Sequence, residues 1–262
     1  MLELAADCSR CFGLCCVALP FARSADFPTD KDAGDPCLHL QADFRCGIHA
    51  RLREEGYRGC TVYDCFGAGQ QVAQVTFAGA DWRSHPETAR QMFATLPVMR
   101  QVHELLWHLT AALAVPDTEP VHDELRRAVG DTERLTRLDA AALERLDVPA
   151  HRAEVNRLLR RASELARAGT DPPDLPADLI GARLSGRDLR GVGLRGACLI
   201  AADLAGADLR LADLTGADLR DARLHGADLS TALFVTQAQL NAAQGDGETR
   251  VPASLERPAR WA

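Results

Sequence analysis

The stretch "ADLAGADLRLADLTGADLRD", Ala202 to Asp221, decides the fold of the C-terminal part of this 262-residue chain. It contains four copies of a five-residue unit, and the same frame covers twelve consecutive units from Ala177 to Thr236. Leu takes the third position of every unit from Leu179 until Phe234 replaces it, and Ala takes the first position in ten units. A period of five fits neither an α-helix nor an ordinary strand. It predicts a solenoid with one short flat side per unit and inward-facing Leu and Ala.

This array resembles the pentapeptide-repeat family, whose A(D/N)LXX units wind into a right-handed quadrilateral β-helix with four units per coil. The resemblance implies about three coils, which span about 15 Å at the ~4.8 Å spacing of paired strands. The segment "TQAQLNAA" from Thr236 leaves the Leu frame. We expect it to cap the open end of the solenoid, as terminal elements do in repeat proteins.

The middle of the chain lacks cysteine and shows helical spacing. "SHPE", Ser84 to Glu87, has the spacing of a capping box, and apolar residues then recur three and four positions apart. Gly130 and Gly169 are the expected ends of two further helices. The predicted fold class is therefore α+β in several parts: a cysteine-rich metal-binding domain (1–70), a helical region (71–170), and the repeat with its cap (171–262).

Eight of the nine cysteines lie within the first part, and only Cys198 lies outside it. Cys8 and Cys11 have the spacing at which a tight turn aims two thiolates at one metal ion. Eight thiols would satisfy two tetrahedral zinc ions or a four-thiolate iron–sulfur cluster with spares. His39 and His49 are further candidates. The predicted ligands are Cys8, Cys11, Cys15, Cys16, Cys37, Cys46, Cys60 and Cys65.

The order of these cysteines also resembles the family of zinc- or iron-chelating cysteine-cluster domains. Its pattern runs from a C-x-x-C-like start into CC, and continues here with "CLHL" at Cys37, "CGIH" at Cys46, and then Cys60 and Cys65. The resemblance implies zinc or iron as the bound metal, without assigning its role. The alternative is a set of buried thiols that pack as small hydrophobic groups.

Composition limits the cellular setting and the partners. The net charge of −7 argues against direct binding to nucleic acid or to an anionic membrane. No secretory signal and no run of ~18 apolar residues is present, so we expect a cytoplasmic protein outside the membrane. Thiols stay reduced in the cytosol, where clustered cysteines hold metal more often than disulfides. Lys31 is the only lysine, which we interpret as a bias in composition.

Three functions follow as hypotheses, and enzymatic activity is left open. The first is a metal-binding protein whose repeat serves as a scaffold for another protein. The second is an iron–sulfur or iron-dependent enzyme, or its accessory, with the acidic loop "DFPTDKDAGD" (Asp26–Asp35) between the two halves of the cysteine cluster. The third is a DNA-mimicking inhibitor of a topoisomerase. Three coils are short beside the ~34 Å of one DNA turn, and the repeat carries eight Asp against seven Arg.

Two other motifs are interpreted as structural. "GVGLRG", Gly191 to Gly196, matches a dinucleotide-binding pattern, but its glycines fall in the five-residue frame. His103 and His108 in "HELLWH" are five positions apart instead of the four of a zinc-protease helix, so they point to different faces. We expect neither motif to bind a cofactor or a metal.

Overall fold

The computed structural model describes residues 2–261. Packing divides the chain into two compact units. The first unit comprises the chain up to Thr110 together with His122–Leu158, and the second comprises Ala111–Val121 together with the chain from Leu159 onward. This division follows packing, whereas the boundaries at residues 70 and 170 follow composition and stay a prediction.

The predicted helical middle of the chain is confirmed. Short 3₁₀ turns occupy His49–Arg51, Pro116–Val121 and Ala259–Trp261. A π-helical turn, Gln71–Thr76, directly follows the short helix Ala68–Gln70. No helix in the described part is long and apolar enough to cross a bilayer. The α-helices are α1 (Leu14–Ala18), α2 (Arg58–Thr61), α3 (Ala68–Gln70), α4 (Pro86–Leu113), α5 (His122–Leu135), α6 (Ala140–Glu144), α7 (Val148–Ala166) and α8 (Gln237–Ala242).

Two of the expected helix boundaries are correct and one is wrong. Helix α4 begins at Pro86, within the predicted capping sequence. Helix α7 ends shortly before Gly169, whose φ of 83° is left-handed. Helix α5, however, runs through Gly130 to Leu135. A single interior glycine costs a helix only about 1 kcal/mol relative to alanine, which is too little to end one.

Two apolar clusters of the first unit include residues of the cysteine-rich segment. In one, α1 packs against α3, α4 and α6 through fully or almost fully buried side chains, among them Leu14, Val17, Val72, Met92, Leu96 and Leu143. The other consists of Ile48, Leu52 and Tyr57, with Phe21, Phe27, Cys37 and Cys46 packed around it. The cysteine-rich segment therefore contributes to both clusters and carries part of the unit's core.

The repeat of the second unit is a stack of coils held by parallel bridges between residues twenty apart. Asp188 pairs with Asp208, and Asp208 pairs with Asp228. Four five-residue units therefore complete one coil, and Asp188, Asp208 and Asp228 stand in one column. Within residues 2–261 these pairings are isolated bridges outside any multi-residue strand. A five-residue unit turns its corner before a longer run of residues can pair.

Each position of the unit has one structural role. The third-position side chains from Leu179 to Phe234 are all buried, which confirms the predicted inward face. The fifth position has a left-handed φ in ten consecutive units. Seven of these corners are glycine, which adopts such a φ without steric penalty. The other three are Ala201, Leu211 and Asp221.

The second-position aspartates stabilise their own turns. The carboxylate of Asp208, for example, accepts a hydrogen bond of 3.1 Å from the amide of Arg210, two residues later. Seven of the eight aspartates in the repeat make this bond, which is typical of Asx turns. They are Asp178, Asp188, Asp203, Asp208, Asp213, Asp218 and Asp228.

The predicted cap is present at the C-terminal end of the stack. Thr236 and Gln239 form a reciprocal capping box at the start of α8. Leu240 of this helix is fully buried in the apolar core of the repeat. Trp261 is also buried there, and its indole donates a hydrogen bond to the carbonyl of Ala243. The cap therefore closes the Leu and Ala core at this end.

Candidate metal centre

Two turns with the same sequence, Cys-Phe-Gly, place a cysteine before α1 and before α3. In the first turn Phe12 and Gly13 have φ values of 53° and 65°, and in the second Phe66 and Gly67 have values of 50° and 79°. In each, the first helical amide donates a hydrogen bond to the cysteine carbonyl, at 3.2 Å and 2.9 Å respectively. The two turns thus present Cys11 and Cys65 in equivalent backbone settings.

The sulfur of Cys11 has hydrogen-bonding groups of both kinds around it: its thiol donates to the carbonyl of Cys8 at 3.6 Å, while nearby main-chain amides favour its ionised form. The pKa of its thiol is lowered, first by a hydrogen bond with Cys8 and also by the amides of Gly13 and Leu14, although burial opposes the shift. Hydrogen bonds to the ionised form of a thiol favour that form. Cys11 is therefore held in a setting that suits a thiolate, which is the form that binds metal.

Cys46 and Cys65 share part of this arrangement. Burial raises the pKa of both thiols, but the amide of Ile48 opposes the rise at Cys46 and the amides of Gly69 and Gly67 oppose it at Cys65. At Cys11, Cys46 and Cys65 alike, one of the donors is the amide two residues later. Such N–H···S contacts tune thiolate ligands in metal centres.

The remaining cysteines lie close enough to affect one another. The sulfurs of Cys15 and Cys16 are 3.9 Å apart. Burial raises the pKa of Cys60 to about 12, and the charges of Cys15, Cys37 and Cys46 add to this shift. The charge of Cys15 also raises the pKa of Cys46 and of Cys65, although burial is the larger cause at both. Cys46, Cys60 and Cys65 therefore all lie close enough to Cys15 for its charge to affect their pKa values.

The structure also places the other predicted ligands. All eight cysteines are free thiols; Cys8 and Cys60 are exposed and Cys11 is buried. The amide of Cys37 donates to the carbonyl of Cys16 at 2.9 Å, which joins these two segments. Cys46 pairs with Leu40 in an antiparallel bridge. Cys198 bridges neighbouring coils of the repeat, as the sequence frame requires.

The two histidine candidates have different surroundings. His39 packs edge-on against Tyr57, with ring centroids 4.9 Å apart. His49 is exposed in a 3₁₀ turn. His103 of the "HELLWH" segment is fully buried, and its Nδ1 lies 2.7 Å from the carbonyl oxygen of Phe66. This packing agrees with the structural interpretation of that segment.

The cysteine sulfurs are donor atoms that suit a thiophilic metal. In the part of the chain that is described, no three His, Cys, Asp or Glu side chains converge as a ready metal site. The eight thiols are nevertheless free, and main-chain amides favour the ionised form of Cys11. Soft thiolates select zinc, Cu(I) and iron–sulfur clusters over hard cations such as Mg²⁺. Because several of these thiols have raised pKa values, metal binding must displace protons.

Sequence reasoning missed one notable residue and one cleft. Lys31 is buried, so it has a structural role that a bias in composition does not explain. Its rarity was the available signal, since every other Lys or Arg position holds arginine. A cleft of about 310 Å³ lies beside it, lined by residues of the acidic loop together with Cys37 and Leu38.

Comparison with known proteins supports the repeat and extends the similarity to the full chain. The family described as pentapeptide repeats matches residues 177–204 and 197–234, in eight copies. A protein of Bacillus subtilis (strain 168), "Uncharacterized protein YybG", is 60% identical over 265 residues. The alignment covers 99% of this chain and 95% of that protein, so it includes the cysteine-rich and helical parts.

Proposed function

The chain belongs to the same family as YybG and carries pentapeptide repeats, and we propose that it is a cytosolic zinc- or iron-binding protein that serves as an interaction scaffold. The cysteines would hold the metal, and a right-handed quadrilateral β-helix would present the surface for another protein. The observation that supports the metal site most strongly is the matched pair of Cys-Phe-Gly turns, which present Cys11 and Cys65 in equivalent backbone settings on either side of Gly69.

The electrostatics of the thiols would make metal binding depend on pH. Burial and neighbouring thiols raise the pKa of Cys46, Cys60 and Cys65. These groups cannot all ionise near neutral pH unless a positive charge offsets the repulsion between thiolates. A zinc ion or an iron–sulfur cluster would supply that charge and would link the segments that carry the ligands. Affinity should therefore fall as the pH falls.

The construction of the repeat supports a scaffold role. Its Leu and Ala side chains are buried, and its aspartates are bonded to their own turns. The stack therefore needs no ligand to satisfy its interior. Solenoids of this kind use their outer faces for binding, because each coil contacts only its neighbours and the exterior stays available.

A second candidate, an iron-dependent enzyme or its accessory, has one specific observation in its favour. The acidic loop lines the cleft of about 310 Å³ together with Cys37. A small molecule could enter there and reach the cysteine cluster. An iron–sulfur cluster would be the cofactor in this case, and its absorption would distinguish it from colourless zinc.

Inhibition of a topoisomerase by DNA mimicry is less favoured. The aspartates of the repeat are used in Asx turns, and several are paired with arginine. Asp208 pairs with Arg210, Asp218 pairs with Arg220, and Arg223 lies 3.7 Å from Asp203. These pairs leave little of the dense negative charge that imitation of DNA requires.

Anaerobic purification with metal analysis tests the proposal. The wild-type protein should contain about one equivalent or more of zinc or iron. Cys11→Ser and Cys46→Ser should lose metal, while Cys198→Ser, a matched change in the repeat, should retain it. Less than one equivalent in the wild type, with all eight cluster thiols open to titration, would contradict the proposal.

Removal of the metal should affect the first unit, which contains the cysteine-rich part, and should spare the repeat. Within that unit the apolar cluster of Ile48, Leu52 and Tyr57 is small, so metal-binding free energy would become folding free energy there. In hydrogen exchange, a chelator should therefore reduce protection of residues 2–70 and leave residues 177–236 unchanged. Equal protection of residues 2–70 with and without chelator would show that metal does not fold this segment.

A further inference from the structure

Lys31 is the only lysine of the chain and is nine-tenths buried, with 9% of its surface exposed. Its Nζ donates hydrogen bonds to three main-chain carbonyls, those of Val17 at 3.2 Å, Asp32 at 3.0 Å and Asp35 at 2.9 Å. A lysine ammonium has three donors. All three N–H donors of Lys31 are therefore bonded to main-chain carbonyls, and none remains for a side-chain carboxylate.

These carbonyls belong to the segments that carry two of the cluster cysteines. Val17 directly follows Cys16, and its carbonyl also accepts the amide of Gly34 at 2.8 Å. The amide of Cys37 donates to the carbonyl of Cys16 at 2.9 Å. Lys31 and Cys37 line the same cleft. The ammonium thus lies where the segment containing Cys16 meets the segment containing Cys37.

The charge of Lys31 interacts with both thiols. Burial lowers the pKa of Lys31, while the negative charges of Cys37, Asp35 and Cys16 raise it. A compact ammonium suits three converging carbonyls, whereas the planar fork of arginine does not. This geometry gives a reason for a lysine at this one position of a chain that otherwise uses arginine.

We propose that Lys31 is the counter-ion of the cysteine metal centre: its buried ammonium offsets the negative charge of Cys16 and Cys37 when they bind metal. This role rests on the metal-binding function proposed above. Lys31 would be a positioning residue that acts on the ligands through its charge and through the carbonyls it holds. Loss of such a supporting group lowers metal affinity by about 10- to 100-fold.

Metal competition in the full-length protein tests this role. Lys31→Met removes the charge and keeps an apolar stem of similar length, while Arg23→Met removes one positive charge from an exposed position in the same region. Against a chelator of known affinity, Lys31→Met should hold zinc about 10- to 100-fold more weakly than the wild type, and Arg23→Met should match the wild type. Equal affinity of the two variants would overturn the role of Lys31 and leave the metal site intact.

A second measurement on the metal-free proteins separates charge from structure. Without Lys31, alkylation of Cys16 and Cys37 should be slower than in Arg23→Met, relative to Cys198, because a cation beside a thiol increases its reactivity. A purely structural role would instead expose these thiols and speed their alkylation. An unchanged or faster rate in Lys31→Met would overturn the inference. Absence of metal from the wild-type protein would overturn the proposed function separately.

Discussion

Cys11 and Cys65 lie together beside Gly69, although they come from opposite ends of the cysteine-rich segment. Their sulfur atoms are 3.7 Å and 3.9 Å from the point at which a Cβ on Gly69 would stand. The absence of a side chain at this position therefore permits the two cysteines to approach. Because they also share the same Cys-Phe-Gly turn, we expect them to bind the same metal ion.

Gly69→Ala should disturb this pair. The added Cβ would be 2.8 Å from the Cβ of Cys11, closer than real contacts allow, so Cys11 or α3 must move. We expect a loss of bound metal and a decrease of about 1–3 kcal/mol in the free energy of unfolding. Metal analysis and denaturant unfolding would measure both.

Gly130→Ala is the matched control for this change. Gly130 lies inside α5, and the nearest atom to an added Cβ is 4.0 Å away. Alanine is the better helix former by about 1 kcal/mol, so this variant should be more stable and retain its metal. If Gly69→Ala kept wild-type metal content and stability, the shared site at Cys11 and Cys65 would be wrong.

The repeat was predictable from the sequence because each position of its unit repeats one role. Leu is buried, Asp bonds its own turn, and the fifth residue adopts a left-handed φ. Two glycines of "GVGLRG" have a further role that the frame does not reveal. A Cβ on Gly191 would lie 2.2 Å from the hydroxyl oxygen of Thr170, and one on Gly193 would lie 3.3 Å from a guanidinium nitrogen of Arg167.

The cysteine-rich part was less predictable. Its spacing indicates a cluster, but which sulfurs become neighbours depends on how the segment of Cys65 packs on that of Cys11. A repeat or a local period cannot encode such a contact between distant residues. The role of Lys31 is hidden for the same reason, since one residue forms no pattern. Gly130 has the character of a helix end, but helical residues on both sides of it carry α5 on to Leu135.

Asp213 provides a test of the repeat's buried polar contacts. Its carboxylate accepts hydrogen bonds from Ser163 at 2.7 Å and Thr215 at 2.6 Å, and it lies 3.5 Å from Nε of Arg195. Asp213→Ala should destabilise the repeat by about 1–3 kcal/mol, because the hydroxyl of Ser163 and the partly buried guanidinium of Arg195 lose a partner. Hydrogen exchange of residues 177–236 would report the loss.

Asp218→Ala is the control for Asp213→Ala. Asp218 makes the same Asx turn, but its side chain is 31% exposed, against 3% for Asp213. Its ion pair with Arg220 is a surface pair, which contributes about 0–1 kcal/mol. Equal destabilisation by the two substitutions would show that burial of the Asp213 contacts does not matter.

Glycine should stabilise those corners of the repeat at which another residue has a left-handed φ. Ala201 is exposed and has a φ of 55°, a conformation that costs a residue with a Cβ roughly 1–2 kcal/mol. Ala201→Gly should therefore raise the thermal stability of the repeat. Ala205 is a neighbouring position without a left-handed φ. Ala205→Gly should therefore lower the free energy of unfolding by about 0.5–1 kcal/mol. The same sign of change at both positions would refute this reasoning.

His103 should make the first unit sensitive to acid. Burial lowers its pKa below the ordinary value of 6.5, against the opposing effect of the hydrogen bond with Phe66. His103 therefore binds a proton more readily in the unfolded chain than in the folded chain. This contribution to stability is complete above about pH 6.5 and declines as the pH falls toward the folded pKa.

Replacement of His103 by Asn should flatten this dependence while keeping a side-chain donor for Phe66. Urea unfolding between about pH 7.5 and pH 5.5 would compare the two proteins. The free energy of unfolding should fall more steeply for the wild type than for His103→Asn. Parallel curves would show that His103 is not the group responsible.

The most direct test of the metal centre is X-ray absorption at the metal edge of the anaerobically purified protein. Sulfur ligands stand at about 2.3 Å from zinc, whereas nitrogen and oxygen ligands stand at about 2.0–2.2 Å. We predict a first shell dominated by sulfur, which Cys11→Ser reduces and Cys198→Ser leaves unchanged. A first shell of nitrogen and oxygen alone, or a spectrum unchanged by Cys11→Ser, would contradict a centre built from these cysteines.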